Sequence, residues 1–327
     1  MKAAHGALVA LGISSALAAP AFAQDTCPHR GDLDSSYCDA NHDLVADTPT
    51  DPAKLKSPST LVFTFTPVED PAVYEKIFRN FTEHLSSCVN RRVVFFQVQS
   101  NAAEIEAMRA GRLHVGSFST GPTAFAVNIA GAVPFALKGS DKGFTANHVI
   151  MIVRKDSPYQ KLTDLKGKRV AHVAPSSNSG HMAPLALFPK EGLTPEKDYK
   201  LVFSGKHDQS ILGVANGDYD AAAVADDVFR RMAERGVIKS EDFRVLYQSP
   251  KFPTSAFAHA HDLEPAFRDQ MKRCFFNYRF TPEMQKAFDA DRFVPVSYEK
   301  DWAVVREVAS ASGEKFNRAA YERSPKK

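Results

Sequence analysis

A run of short polar side chains near the middle of the chain could hold a small tetrahedral anion. Residues 170–173 are apolar or tolerated in a strand, Pro175 ends that run, and Ser-Ser-Asn-Ser-Gly (176–180) follows before an apolar segment. The pattern predicts a strand, a loop and a helix start. N–H groups of a first helical turn lack intrahelical partners, and hydroxyls among them would complete an anion cradle. A helix cap needs only one such residue, so four in a row favour an anion site over a simple cap.

A second polar loop has the same design. The predicted strand 113–118 is followed by Ser-Thr-Gly-Pro-Thr (119–123) and a predicted helix over 124–130. Pro122 suits a first helical turn, where its missing N–H costs nothing, and three hydroxyls exceed what a cap requires. Ligands of α/β sheets bind outside the carboxyl ends of strands, so the two loops predict the two halves of one anion site.

Segments with the periods of strands and helices alternate from about residue 61 to residue 290. Apolar residues at spacing four over 71–85 predict an amphipathic helix. Strands are predicted at 61–66, 92–98 and 220–225, among others. This alternation predicts an α/β fold with mostly parallel strand pairing. The length of 327 residues allows two domains of ordinary size.

The composition excludes several classes of protein. With 44% hydrophobic and 24% charged residues, the chain is typical of a soluble globular protein. A formal net charge of +3 without a long basic run is not the pattern of a nucleic-acid-binding protein, so no nucleic-acid partner is predicted. No segment is long and uncharged enough to span a membrane.

The N-terminus has the three parts of a secretory signal peptide. Lys2 provides the charge, residues 7–18 the apolar core, and Ala-Phe-Ala (21–23) the cleavage site. We therefore expect residues 1–23 to be removed, the mature chain to begin at Gln24, and the protein to function outside the cytoplasm.

Four cysteines follow the predicted cleavage site, and in an exported chain an even number suggests two disulfides. Cys27 and Cys38 would close a short loop, which leaves Cys88 for Cys274. The other two pairings stay open at this point. No C-x-x-C spacing is present, which argues against metal ligation by cysteine.

Residues 24–60 are a polar extension that is poor in large aliphatic side chains. Within it Asp39, Asn41, Asp43 and Asp47 place oxygen atoms at positions one, three, five and nine of a calcium loop. The glycine and the final glutamate of that loop are both replaced. The spacing predicts calcium binding, and the alternative is a polar linker with carboxylates placed by chance.

Six short motifs occur in a fixed order along the globular part of the chain. They are Thr-Pro (66–67), Ser-Thr-Gly-Pro (119–122), Lys-Asp-Ser-Pro (155–158) with Leu-Thr-Asp-Leu-Lys-Gly (162–167), Ser-Asn-Ser-Gly (177–180) and Asp-Tyr-Asp-Ala-Ala (218–222). In this order they resemble the periplasmic binding proteins of phosphonate, phosphite and phosphate ABC transporters. The motifs of 155–167 occur widely among type II solute-binding proteins. The loop 177–180 is more specific, because the family usually carries Ser-Thr-Ser-Gly there, and Asn178 keeps a hydrogen-bond donor.

The resemblance implies a type II periplasmic binding protein, with two α/β lobes joined by a hinge of two crossovers. The first lobe would comprise residues 61–143 and 253–327, and the second lobe residues 144–252. Cys88 and Cys274 would then lie in the same lobe, which supports their pairing.

The resemblance also implies which residues bind the oxyanion. The second lobe would supply Ser177, Asn178 and Ser179, and the first lobe Thr120 and Gly121 with Thr123 behind them. His207 occupies a place where relatives also carry a histidine and could donate to the anion. The alternative for His207 is a surface histidine in a turn.

A carboxylate for a ligand amine is implied as well. Relatives that bind the aminoethyl compound carry an acid after the alanine-rich strand, where this chain has Asp226 and Asp227. Glu69 could also face the ammonium, or could simply precede the helix that begins at Pro71. The remaining pocket wall would include Thr66 and, where some relatives place tyrosines, Asn101 and Phe118.

Together these features predict a periplasmic binding protein that captures a phosphonate, foremost 2-aminoethylphosphonate, and delivers it to an inner-membrane ABC permease. Phosphite and phosphate are the alternative ligands. Such a protein needs no cofactor, apart from the calcium predicted in the extension, and we expect a monomer. The alternative from another class is a secreted phosphoesterase-type hydrolase. No G-x-S-x-G motif is present, so no enzyme is predicted.

Overall fold

The computed structural model describes Met1 and residues 27–323, so the predicted signal peptide lies, Met1 aside, outside the described residues. The strands are β1 (Thr60–Phe65), β2 (Arg92–Phe95), β3 (Val115–Phe118), β4 (Ala132–Ser140), β5 (Gly143–Phe144), β6 (Ala146–Arg154), β7 (Arg169–His172), β8 (Lys200–Phe203), β9 (Ala221–Ala225), β10 (Phe243–Pro253), β11 (Ala256–Ala260) and β12 (Arg292–Pro295). The α-helices are α1 (Pro71–Val89), α2 (Asn101–Arg109), α3 (Thr120–Ala130), α4 (Ala183–Leu187), α5 (His207–Asn216), α6 (Asp226–Glu234), α7 (Pro265–Asn277), α8 (Pro282–Phe288), α9 (Tyr298–Asp301), α10 (Ala303–Ala311) and α11 (Arg318–Arg323).

Two β-sheets organise the molecule, which confirms the predicted α/β class. A seven-stranded sheet has the order β12-β4-β11-β3-β1-β2, with β5 paired to β4, and a five-stranded sheet has the order β10-β6-β9-β7-β8. The chain passes from the first sheet to the second between β5 and β6, and returns between β10 and β11. Each sheet with its helices is called a lobe below. The exact lobe limits given above stay a prediction.

The expectation of mostly parallel pairing is wrong. Strand β1 pairs in parallel with β2 and β3, and β7 with β8 and β9. Every pairing made by β4, β6, β10, β11 and β12 is antiparallel. The difference arises because the long strands next to the crossovers run back against their neighbours. The sequence reading also missed β4, since this strand is buried along nearly its whole length and shows no alternation of apolar and polar residues.

Aromatic packing and a disulfide fix the first lobe. Phe63 of β1 is fully buried and packs against Phe78 and Phe81 of α1, at ring-centroid distances of 5.5 and 5.6 Å. Cys88 at the end of α1 is bonded to Cys274 of α7, with Cα atoms 5.9 Å apart. Strand β1, whose carboxyl end faces the other lobe, thus packs against α1, and the disulfide bonds α1 to α7.

The N-terminal extension packs on the first lobe. Cys27 and Cys38 form the second disulfide, with Cα atoms 5.5 Å apart, so both predicted pairings are confirmed. The backbone N–H of Asp34 donates to the carbonyl of Asn128 in α3 at 2.7 Å, and the Asp34 carboxylate pairs with Arg318. Within residues 27–323, no helix has both the length and the apolar character needed to cross a membrane.

Candidate functional site

A small cavity lies between the two lobes, where both polar loops emerge from their sheets. Its volume is about 30 Å³, and because a single water needs about 10–15 Å³ on the same measure, the cavity admits only a small group. The polar side chains of its lining come from both lobes, namely Ser119, Thr120, Lys138, Thr254 and Ser255 from the first lobe or the crossovers, and Asn147, Ser177, Asn178, Ser179, His207, Asp227 and Arg231 from the second. The structure therefore brings together six of the predicted site residues, which are Thr120, Ser177, Asn178, Ser179, His207 and Asp227.

The loop of the second lobe presents an amide that has no protein partner. Ser177 caps the helical turn that begins at Asn178, and its hydroxyl accepts a hydrogen bond from the N–H of Gly180 at 3.1 Å. The Asn178 side chain is 2% exposed, and neither its nitrogen nor its oxygen has a hydrogen-bond partner among the described residues. Ser179 is also buried. Leaving a buried amide without hydrogen-bond partners costs free energy. A ligand that supplies those partners would therefore gain binding free energy here.

The loop of the first lobe uses most of its hydroxyls internally. Thr120 donates to the carbonyl of Pro253 in the returning crossover at 2.7 Å. Thr123 donates to the carbonyls of Phe118 and Ser119 at 2.8 and 2.9 Å, and it does not line the cavity. Ser119 precedes α3, lines the cavity, and makes no side-chain capping bond. Ser119 is therefore the hydroxyl that this loop presents, and the placement of Thr123 against the ligand needs correction.

Gly121 serves the site without facing the cavity. A Cβ atom at this position would lie 2.2 Å from the carbonyl oxygen of Ser176 and 2.9 Å from the nitrogen of Asn178. These atoms belong to the loop of the opposite lobe, and backbone cannot give way as a flexible side chain can. Gly121 thus permits the close approach of the two loops, which differs from the predicted contact with the anion.

His207 is a buried donor rather than a surface histidine. It begins α5, is 4% exposed, and accepts the backbone N–H of Ala225 at Nδ1, 3.2 Å away. Burial lowers the pKa of His207 to about 4, so the ring is neutral at neutral pH. Because Nδ1 accepts a hydrogen bond, the proton of the neutral ring is on Nε2. The ring can therefore donate to an anion.

Asp227 lines the cavity as half of an ion pair. Its carboxylate accepts a hydrogen bond from Arg231 one helical turn later in α6, at 2.7 Å. Burial alone would raise the pKa of Asp227, but Arg231 outweighs burial and lowers this pKa to about 2. The carboxylate is ionised at neutral pH, and its charge is already balanced in part.

Glu69 does not line the cavity. Its carboxylate is 1% exposed and accepts hydrogen bonds from Tyr74 at 2.7 Å, from Arg231 at 3.1 Å, and from Arg235. Burial opposes ionisation, but the two arginines hold the pKa of Glu69 below its ordinary value. Both oxygens are thus occupied by an ion pair between the lobes, instead of facing a ligand ammonium as predicted.

Asp226 faces a second cavity, of about 380 Å³, beside the first. Its carboxylate accepts the N–H of His148 at 2.8 Å, and burial raises the pKa of Asp226. Four residues line both cavities and form the wall between them, namely Lys138, Asp227, Arg231 and Thr254. A substituent leaving the small cavity past this wall would reach Asp226.

The three predicted wall residues lie behind the cavity. The Thr66 hydroxyl donates to the Asn101 side-chain oxygen at 3.2 Å, so these two side chains bind each other at the start of α2. Phe118 is fully buried in the core. The wall is instead formed by Phe65 and Val68, together with Ala225 and Val228 of the second lobe.

Sequence reasoning missed two cations of the lining, Lys138 and Arg231. Lys138 of β4 is 3% exposed, and its ammonium lies 5.1 Å from the ring centroids of Phe65 and Phe288. A single lysine directly after the apolar run 132–137 was the available signal. Arg231 gave no comparable signal, because its partner Glu69 lies 162 positions earlier in the sequence.

The loop with calcium spacing holds its carboxylates against its own backbone. Asp39 accepts the N–H groups of Asp43 and Leu44 at 2.9 and 3.2 Å, and Asp47 accepts that of Ala40 at 2.8 Å. Leu44 has a φ of 68°, the left-handed conformation that calcium loops reserve for glycine. Within residues 27–323, no group of three His, Cys, Asp or Glu side chains is arranged to hold a metal ion. Calcium binding by this loop stays a prediction.

Comparison with known proteins assigns most of the globular part to one family. The family model for the ABC transporter phosphonate periplasmic substrate-binding protein matches residues 63–302. The phosphate-import protein PhnD of Mycolicibacterium smegmatis is 28% identical over 76% of this chain and 81% of its own length. The phosphonates-binding periplasmic protein of Escherichia coli is 24% identical over 69% of this chain and 68% of its own length.

Solved structures agree on the fold. PhnD1 of Prochlorococcus marinus in complex with methylphosphonate has a TM-score of 0.71 and 20% identity, and the match covers 79% of this chain and all of that one. A binding protein component of an ABC phosphonate transporter from Pseudomonas aeruginosa has a TM-score of 0.70 at 20% identity, over 78% of this chain and 86% of that one. The predicted periplasmic-binding-protein fold is therefore confirmed.

Proposed function

The chain belongs to the family of periplasmic phosphonate-binding proteins of ABC transporters, and from this premise we propose that it captures a phosphonate between its lobes. It is a substrate-binding protein and not an enzyme. The phosphonate headgroup would occupy the small cavity, with its oxygens accepting hydrogen bonds from Asn178, Ser179 and Ser119 and from the Nε2 of His207. Lys138 and Arg231 would supply the positive charge that such an oxyanion needs.

The single observation that carries this proposal is the Asn178 amide. It is buried in a cavity lined by cations and hydroxyls, and it has no partner among the described residues. Structures rarely leave such a group unpaired. An oxyanion in the cavity would satisfy the amide nitrogen and remove this cost, and the two loops on either side would then be held in contact.

We further propose 2-aminoethylphosphonate as the foremost ligand. With the headgroup in the small cavity, an aminoethyl chain would pass the wall toward the larger cavity, where Asp226 and Asp227 could receive the ammonium. Phosphite and phosphate, which have no such chain, are the second candidates. They are favoured by the small volume of the first cavity and by the ion pair that already occupies Asp227.

The remaining parts of the proposal concern export and partners. The signal-peptide pattern of residues 1–23 supports export to the periplasm, and membership of the family supports delivery of the ligand to an inner-membrane permease. Closure of the lobes around the ligand would create the surface that the permease recognises. We expect the protein to act as a monomer.

A titration of the purified protein tests the proposal. Methylphosphonate, 2-aminoethylphosphonate, phosphite and phosphate are each followed by isothermal titration calorimetry, with product formation monitored in parallel. Saturable 1:1 binding of a phosphonate without product is expected. Absence of binding by all four anions, or turnover of a phosphoester, would reject the proposed function.

The variant Asp227→Asn tests the preference for the amine. It removes the carboxylate that would pair with the ammonium, so 2-aminoethylphosphonate should bind about 10-fold or more weakly. Phosphite carries no ammonium and should bind as before or more tightly, because a negative charge beside the anion is lost. Equal losses for the two ligands in calorimetry would remove Asp227 from the amine-binding role.

A further inference from the structure

Lys138 differs from the other charged residues of the cavity because no carboxylate balances it directly. Arg231 is bound by Asp227 at 2.7 Å and by Glu69 at 3.1 Å. The Lys138 side chain makes no ion pair within 4 Å with any carboxylate of residues 27–323, although it is 3% exposed. Its ammonium is surrounded by the rings of Phe65, Phe257 and Phe288, at 5.1, 5.8 and 5.1 Å.

The other charged groups near Lys138 are mostly bound to one another rather than to the lysine. Helix α6 contributes Asp227 and Arg231, which neutralise each other, and Arg235 of the same segment is paired with Glu69. His207 of α5 is neutral at neutral pH. The aromatic rings from β1, β11 and α8 offer only the weak attraction of their faces. Asp226, Asp227 and Asp289 line the larger cavity together with Lys138, but none of them forms an ion pair with it within 4 Å. Among the described residues, Lys138 therefore has no carboxylate in direct contact until an anion enters.

The neutral hydrogen-bond donors of the site do not distinguish a singly charged anion from a doubly charged one. Hydroxyls, the Asn178 amide and the His207 ring bind the oxygens of any tetrahedral headgroup, whether it carries one negative charge or two. A phosphonate dianion and a sulfonate monoanion both present three oxygens in the same arrangement. Discrimination between them requires a full charge held out of water, where electrostatic interactions are strong.

We infer that Lys138 determines the specificity of the site for doubly charged oxyanions, so that a phosphonate is preferred over a sulfonate of the same shape. This inference rests on the proposed function and adds the residue that sets the charge preference. Burial costs the ammonium part of its hydration, and the second negative charge of the ligand offsets that cost more than a single charge does.

The titration of Lys138 gives the inference an independent signature. Burial lowers the pKa of Lys138 to about 7, with Asp227 opposing the shift in part. Above this pH the free protein holds the lysine mostly neutral, and a bound anion raises the pKa again. Binding should therefore protonate Lys138 at about pH 8, and the contribution of Lys138 to the affinity should fall as the pH rises above 7.

The test compares methylphosphonate with methanesulfonate by calorimetry at about pH 8. The wild-type protein should prefer the phosphonate by about 100-fold. In Lys138→Met, whose side chain fills the same space between the rings, the phosphonate should bind about 30-fold or more weakly, while the affinity for sulfonate should change by less than about threefold. Lys272→Met is the matched control, because Lys272 is a half-buried lysine 5.9 Å from the Phe135 ring and outside the cavity lining.

Proton uptake is measured in the same experiment by repeating it in buffers with different heats of ionisation. Methylphosphonate is the titrant, because its own ionisation contributes equally in every variant, so that a difference in uptake between variants reports the lysine. Uptake should be the same in the wild type and in Lys272→Met and lower in Lys138→Met. Equal preference in wild type and Lys138→Met, or the same uptake in both, would overturn the inference. A wild-type protein that binds no oxyanion would instead reject the proposed function.

Discussion

The two polar loops have similar sequences but make different contributions to the site. In the second lobe, the loop 176–180 turns its side chains toward the cavity and leaves the Asn178 amide unpaired. In the first lobe, the loop 119–123 commits the hydroxyls of Thr120 and Thr123 to backbone carbonyls, and presents Ser119. Under the proposed function, one loop would therefore provide the ligand contacts, whereas the other would mainly provide a surface on which the first can close.

This difference shows what an excess of capping residues can mean. Hydroxyls at a helix start can bind a ligand, or they can bind carbonyls of the chain that leads into the helix. The sequence pattern is the same in both cases. Only the position of the neighbouring carbonyls decides whether a hydroxyl binds the ligand or the chain. For Thr120 that carbonyl belongs to Pro253, at the end of β10, where the chain returns to the first lobe.

Gly121→Ala should have the largest effect, because it acts on the contact between the loops. The new Cβ would collide with the backbone of Ser176 and Asn178, so the closed form would become rare and the apparent affinity would fall in proportion, by about 100-fold or more. Small-angle scattering should show no compaction on adding methylphosphonate. Unchanged affinity would mean that the loops need not meet.

Asn178→Ala should come next, because it removes a donor that serves only the ligand. A hydrogen bond to a charged group contributes about 1.5–3 kcal/mol, so methylphosphonate should bind about 10 to 100-fold more weakly by calorimetry. The melting temperature without ligand should stay the same or rise, since an unpaired buried amide is lost. Asn216→Ala, on the exposed end of α5, is the control and should change neither quantity. A lower melting temperature with unchanged affinity would assign Asn178 a structural role.

Thr123→Val should have the smallest effect on binding, since the Thr123 hydroxyl bonds only to backbone carbonyls. Loss of this buried hydrogen bond should lower the free energy of unfolding by about 1 kcal/mol, measured by denaturant titration. The affinity for methylphosphonate should change by less than about twofold. A loss as large as that of Asn178→Ala would place Thr123 at the ligand and remove the contrast between the two loops.

Features that depend on neighbours in sequence could be predicted from the sequence. The alternation of strands and helices and the two loops follow from local spacing, and the structure contains them. These are properties in which the chain near a residue determines its environment. The pairing of Cys88 with Cys274 is supported instead by the lobe layout that the resemblance implies. His207 is suggested only by the resemblance to the family, with a surface histidine as the alternative.

Features that depend on distant partners could not be predicted in this way. Glu69 binds arginines more than 160 positions later in the chain, and so it is withdrawn from the cavity where its sequence context placed it. Lys138 is at the cavity because β4 lies beside β11 and β12 in the sheet, and three phenylalanines from separate segments surround it. No local sequence pattern predicts these contacts between distant residues.

A structure of the protein crystallised with methylphosphonate tests the central claim most directly. We predict closed lobes with the phosphorus in the small cavity, one ligand oxygen within hydrogen-bond distance of the Asn178 side-chain nitrogen, and another facing the Lys138 ammonium. A ligand bound outside this cavity, or a closed and ligand-bound protein in which Asn178 contacts no ligand atom, would contradict the account.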